Sequence, residues 1–199
     1  MLTEVAPSHW ENRVEIIGCA SAAAWESWLA AHHAVRDGVW LKIAKQGSGQ
    51  PSVTPAEAVE VALCYGLIDS QRKSHDGAYF LQKYSPRRRG SSWSRVNVER
   101  VEALIAAGRM RVPGLAEVEA AKVDGRWDAA YESQRTATVP ADLAAALARN
   151  EPARAFFESL GRTDRYAVIL RLLKARNAAS RAAQLRRMVA LLQAGRRVD

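Results

Sequence analysis

Two strand-like runs, Ile68 to Ser74 and Ala78 to Tyr84, flank the tripeptide His75-Asp76-Gly77. An Asp-Gly pair between such runs is a strong hairpin signal, because both residues tolerate the backbone geometry of a tight reversal. Preceding segments read as scaffold that presents this hairpin, and following segments read as helical. The stretch Asp69 to Asn97 also holds the densest basic run, Arg87-Arg88-Arg89, and an aromatic inside it, Trp93.

Residues 1–12 show no periodicity and read as a loose arm. Arg13 to Gly18 carries a short β-branched run, read as a strand. Ser21 is a good N-cap for a helix with Trp25, Trp28 and Leu29 at helical spacing. Gly38 closes the following turn, and Val39 to Ala44 alternates as a second strand with Lys42 its polar member. Lys45 to Ser52 is a Gly/Ser-rich loop that lacks the terminal Gly-Lys-Ser/Thr of a phosphate-binding loop. Thr54, Pro55 and Glu57 satisfy capping-box spacing, with Val59, Leu63 and Leu67 as the expected buried stripe.

Ser94 or Asn97 caps a helix running to Ala107, with Val98, Val101, Leu104 and Ile105 on one face. Pro113 opens another helix that stops before Gly125. Residues 126–139 read as irregular, and helices follow from Pro140, with breaks at Asn150-Pro152, Gly161 and around Asn177. The fold class is therefore α+β: a small mixed sheet with packed helices over 13–125, then a C-terminal helical region over 140–195.

A chain of 199 residues, 48% hydrophobic and 25% charged, is long enough to bury a core and too apolar for wholesale disorder. No apolar run approaches the roughly 20 residues needed to cross a bilayer. The first ten residues lack a secretory signal, which makes cytoplasmic the expected location. Cys19 and Cys64 form no metal or redox motif and read as small buried hydrophobes. The net charge of +8 and pI near 9.9 permit attraction to anionic partners without choosing among small molecules, acidic proteins, anionic lipid and nucleic acid. No cofactor fingerprint and no complete catalytic constellation occur.

The run from Ser85 to Ser94 supports two readings. Arg87 and its neighbours, Trp93 and the helix start at Ser94 to Asn97 together make an anion cradle. Alternatively the run is a solvated loop, with Trp93 in the core and Ser94 or Asn97 merely capping. Alternation puts Phe80 and Tyr84 on one strand face and Tyr79 on the other; a nucleic-acid platform there needs exposed aromatics with basic neighbours. Asp69 follows a helix end within reach of Arg72, and with His75 the two outline a third option, an enzyme site of unrecognised type. The last helix, Ala178 to Ala194, is basic and amphipathic around Leu185, Met188, Val189 and Leu192. It either meets a membrane surface or an acidic partner, or docks on its own domain.

Asp37 to Leu41, Ser52-Val53-Thr54 with Glu57-Ala58, and Glu60 to Asp69 resemble the YdeI/OmpD-associated, or bacteriocin-protection, family. Tyr79 to Arg87, Trp93-Ser94 with Asn97, Gly108 to Met110 and Gly125 to Trp127 continue the resemblance. So does Arg165 to Leu192 with Lys174, Arg176 and Arg181. Leu67 stands where that family usually has Trp, and Ala178-Ala179 where it has Pro-Glu. The resemblance implies a small cytosolic protein linked to envelope stress, antimicrobial-peptide tolerance or porin association, with no established activity, cofactor or catalytic residues. The sequence thus points to a non-enzymatic binding protein using Asp69, Arg72, Arg87, Trp93, Ser94 and Asn97 to hold an anionic group. Nucleic-acid binding through the C-terminal helices is its main alternative.

Overall fold

The computed structural model describes residues 14–175 and 177–198; the arm expected over 1–12 lies outside them. In order come β1 (Ile16–Gly18), α1 (Ala22–His32), β2 (Val39–Ala44), α2 (Pro55–Cys64), β3 (Leu67–Ser74) and β4 (Tyr79–Pro86). The helices α3 (Arg95–Ala106), α4 (Val112–Val123), α5 (Ala141–Ala148), α6 (Glu151–Ser159), α7 (Arg162–Leu173) and α8 (Ala178–Gln193) follow. The fold is α+β. The chain divides into two compact units, one of residues through Ser91 with Glu99–Asp124, the other of Ser92–Val98 with residues from Gly125 onward.

In the first unit the sheet order is β1-β2-β4-β3, with β1 parallel to β2 and the other neighbours antiparallel. One sheet edge is the three-residue β1 and the other is β3, whose residues after Ile68 are exposed and polar. A short edge and a charged edge both discourage pairing with another chain. Val39, Leu41 and Ile43 alternate inward on β2 and are almost wholly buried. Tyr84 on β4 shares their side, because it stands opposite Val39, and Trp25 of α1 packs on it with ring centroids 5.5 Å apart. The Trp25 indole N–H donates to the Ala58 carbonyl at 3.1 Å, which ties α1 to α2.

The caps form as their spacing dictates. Ser21 accepts from the Ala24 N–H. Thr54 and Glu57 close a reciprocal capping box around the start of α2. The stripe on α2 is shifted from the expected one: Ala58, Val61, Ala62, Leu63 and Cys64 are buried and Val59 is only half-buried. Small alanines let α2 approach α1 closely, so the contact centres on position 58, about 100° around the helix from 59. Leu67 is buried too, but as the first residue of β3. On α3, Val98, Val101 and Leu104 are buried while Ile105 is 40% exposed; its neighbour Leu104 already completes the three-residue spacing.

Two glycines are dictated by close approach. At Gly38, φ is +75° and a Cβ would lie 2.3 Å from the Tyr84 carbonyl oxygen, so the turn into β2 passes directly under β4. At Gly114 a Cβ would lie 2.2 Å from the Cys64 carbonyl oxygen, the place where α4 crosses the end of α2.

In the second unit α5 to α8 enclose Leu143, Leu147, Phe157, Val168, Leu172, Met188 and Leu192. Arg181 of α8 grips Asp142 of α5 with Nε–Oδ2 2.7 Å and Nη2–Oδ1 3.0 Å, and donates Nη1–H to the Leu172 carbonyl at 3.0 Å. Among the described residues no helix is long and apolar enough to cross a membrane.

Candidate functional site

The geometry of the first unit turns on an irregularity in β3. Asp69 stands opposite Tyr84 and Arg72 opposite Gln82, so three steps on β3 match two on β4. That is a β-bulge: one extra residue is accommodated and the strand's facing inverts beyond it. Asp69 and Arg72, whose odd spacing would otherwise separate them, come to the same helix-facing side. There Arg72 donates Nε–H to Gln82 Oε1 at 2.9 Å and lies 4.5 Å from the Phe80 ring centroid. Burial, reinforced by the Asp69 charge, pushes the Tyr84 hydroxyl far above its ordinary pKa.

The same inversion sends Lys73 to the side of the sheet opposite Val39, Leu41 and Tyr84. Lys73 is opposite Leu81, which is opposite Lys42, while Trp40 is opposite Lys83. Residues opposite each other or two apart on a strand share a face. Trp40, Lys42, Tyr79, Leu81, Lys83 and Lys73 therefore form one surface. Lys73 Nζ lies 4.3 Å from the Trp40 ring centroid and Lys42 Nζ 4.5 Å from that of Tyr79. Leu81, flanked in register by the two lysines, is 2% exposed.

At the end of this surface next to the α1–β2 turn a cleft of about 640 Å³ opens. Its walls come from four places in the sequence: Arg36 and Asp37 of the turn, Ser70 and Gln71 of the bulge, Lys83 and Ser85 of β4, and Arg88 and Ser91 of the loop beyond. The bulged residues thus serve as wall rather than ladder. Arg36, Lys83 and Arg88 converge here against a single carboxylate, Asp37. None of these three cations is paired with another side chain among the described residues. Serine hydroxyls supply further donors. Such a lining is suited to holding an anion by charge-assisted hydrogen bonds. Among the described residues no group of three or more His, Cys, Asp or Glu could hold a metal ion.

The six residues singled out in the sequence are distributed as follows. Asp69 and Arg72 are exposed on β3, sharing the helix side. Arg87 is 7% exposed, with its backbone N–H donating to the Gly66 carbonyl at 3.3 Å. In the second unit Trp93 is 2% exposed and meets Trp127 edge-on, centroids 4.9 Å apart. Ser94 caps α3, accepting the Asn97 N–H at 3.3 Å, and Asn97 is buried. Tyr131 closes this corner by donating its N–H to the Trp93 carbonyl at 3.0 Å. None of the six lines the cleft. Of the arginine run, Arg88 does. Arg36 and Lys83 were missed because each is a lone basic residue in its segment, and only the fold brings them to Arg88. His75 and Asp76 sit 3.7 Å apart at the hairpin tip, where Asp76 accepts the Ala78 and Tyr79 N–H groups at 2.8 Å. Those bonds hold the Asp76 carboxyl below its usual range, as befits a turn-forming aspartate.

A second cavity, about 410 Å³, lies in the second unit between Gln134, Phe157, Arg162 and Tyr166. Two of its three arginines are tied to main chain, Arg162 to the Gln134 and Arg135 carbonyls and Arg165 to that of Phe157, while Arg135 also lines it. Arg162 braces the segment before α5 and Arg165 the end of α6, so two of the cavity's cations are already engaged.

Residues 17–117 match the family model "Domain of unknown function (DUF8412)". Residues 136–195 match the model "Bacteriocin-protection, YdeI or OmpD-Associated". The resemblance read between Asp37 and Leu192 is therefore carried by the C-terminal helices, while the sheet-bearing part matches a model of its own. No curated protein and no solved structure matches the chain.

Proposed function

We propose that this chain, which belongs to the DUF8412 family of domains of unknown function and carries a YdeI/OmpD-associated segment, is a non-enzymatic binding or stress-protection protein. Its ligand is an anionic group held in the Arg36–Lys83–Arg88 cleft. The observation that carries this reading is the convergence of three cations, without side-chain partners among the described residues, on one open cleft with a single carboxylate. Arg36 and Arg88 are exposed and Lys83 half-buried, so the two guanidinium groups are available to a phosphate or carboxylate at little desolvation cost. Titration of the protein with pyrophosphate, and separately with an acidic peptide, by calorimetry tests it. Binding that weakens in an Arg36→Ala/Arg88→Ala variant supports the reading, and equal binding removes it.

A second reading places nucleic acid on the basic C-terminal helices. It draws on Arg171, Arg187, Arg196 and Arg197, which surround a hollow of about 120 Å³. Arg197 is partly spent on Asp164, 3.4 Å away. A salt dependence of DNA binding that flattens in Arg187→Ala/Arg196→Ala supports this alternative.

A further inference from the structure

We infer that the face of the sheet opposite Val39, Leu41 and Tyr84 binds single-stranded nucleic acid, with Lys42, Lys73 and Lys83 meeting phosphates and Trp40 and Tyr79 presenting ring surfaces to bases. This rests on the anion-binding reading of the cleft, because Lys83 belongs both to the cleft and to this face.

The face combines three properties. It is cationic: along β2, β3 and β4 it carries Lys42, Lys73 and Lys83, and the residues sharing their side by register include no carboxylate. It is aromatic, since Trp40 and Tyr79 are only half-buried and each already accepts a lysine ammonium over its ring. It is also long enough for several nucleotides, as β4 from Tyr79 to Ser85 spans about 20 Å at strand rise. A sheet that shields its second face with lysines laid over aromatics stays soluble, and the same groups suit a polyanion with flat bases. Incoming phosphates draw the ammonium groups off the rings, and unpaired bases take their place. A duplex hides its ring surfaces and cannot make this exchange. The observations therefore favour a single strand, with its backbone running into the Arg36–Arg88 cleft.

The test uses the full chain and a fluorescein-labelled oligothymidylate of about ten nucleotides, within the site sizes usual for such platforms. Anisotropy is followed over a potassium chloride series. Log affinity is expected to fall with log salt with a slope near −3.5, roughly 0.7 for each of five neutralised phosphates, three on the face and two in the cleft. In Lys42→Ala/Lys73→Ala the slope should shrink by about 1.4. Lys73→Ala alone, on the edge strand, should shrink it by about 0.7 and serves if the double variant does not fold. Tryptophan emission should be quenched on binding, and this quenching should be lost in Trp40→Phe. Pyrophosphate binding without oligonucleotide binding overturns this inference and leaves the cleft reading standing; loss of both overturns both. A duplex bound as tightly as the single strand, or a slope that responds to Arg187→Ala/Arg196→Ala and not to the face variants, also overturns it.

Discussion

Lys73 places its ammonium 4.3 Å from the centre of the Trp40 ring, across a strand that separates the two in the sheet. The contact exists because β3 carries one extra residue between Asp69 and Arg72. Without it, Lys73 would turn to the helix side and Trp40 would lose its cover. The bulge therefore both builds a wall of the cleft, through Ser70 and Gln71, and determines the character of the surface leading to it.

The cleft predicts a division of labour within the arginine run. Arg88→Ala should weaken pyrophosphate binding about tenfold or more, the scale of one lost hydrogen bond to a charged group at about 1.5–3 kcal/mol. Arg89→Ala, outside the cleft lining, should leave affinity within twofold. Calorimetric titration of the two variants decides between them.

Arg87 is buried, and its loss should appear in stability. Arg87→Ala should lower the urea midpoint by the equivalent of about 1–3 kcal/mol, as removal of a buried, packed guanidinium does. Arg89→Ala should stay within about 0.5 kcal/mol of wild type. Equal midpoints would place the Arg87 side chain in solvent.

Gly38→Ala should be among the most damaging small substitutions. It combines a left-handed backbone with a Cβ 2.3 Å from the Tyr84 carbonyl oxygen. A loss of about 2 kcal/mol or more is expected, read as a drop in thermal midpoint. Gly47→Ala shares the positive φ but has open space around it, and should cost only about 1 kcal/mol.

The Arg181 fork holds the Asp142 carboxyl below its usual range. A folded-state value below the unfolded one of about 3.9 means this stabilisation is complete above that pH. It is lost as pH falls through the lowered folded value. Asp142→Asn should therefore destabilise the protein by about 1 kcal/mol at pH 7. The gap to wild type should close on acidification below about pH 4, as urea midpoints across pH would show.

Burial pushes both thiols, Cys19 and Cys64, above their ordinary pKa. At pH 8 both should react slowly with a thiol reagent in the native protein and fast in denaturant. Rapid labelling of one equivalent in the native state would show that a cysteine is accessible.

Much of the framework was legible in the sequence because it is set by neighbours a few residues apart. The Ser21 cap, the Thr54–Glu57 box, the reversal at Asp76-Gly77 and the helix breaks at Asn150, Gly161 and Asn177 all depend on local hydrogen bonding and backbone freedom. Strand alternation likewise put Phe80 and Tyr84 on one side and Tyr79 on the other, as register shows.

The site was not legible, for a reason of the opposite kind. Which basic residues converge depends on pairing register, a property of two strands and not of one. A single inserted residue reverses facing along β3, and no pattern between Asp69 and Lys73 reveals it. The arginine run drew attention as a block, yet packing buries Arg87 and puts Arg88 on the cleft wall beside Arg36 and Lys83. Local sequence determined the elements, their caps and their turns; tertiary pairing decided which charges face solvent together, because only there do side chains distant in the chain share one surface.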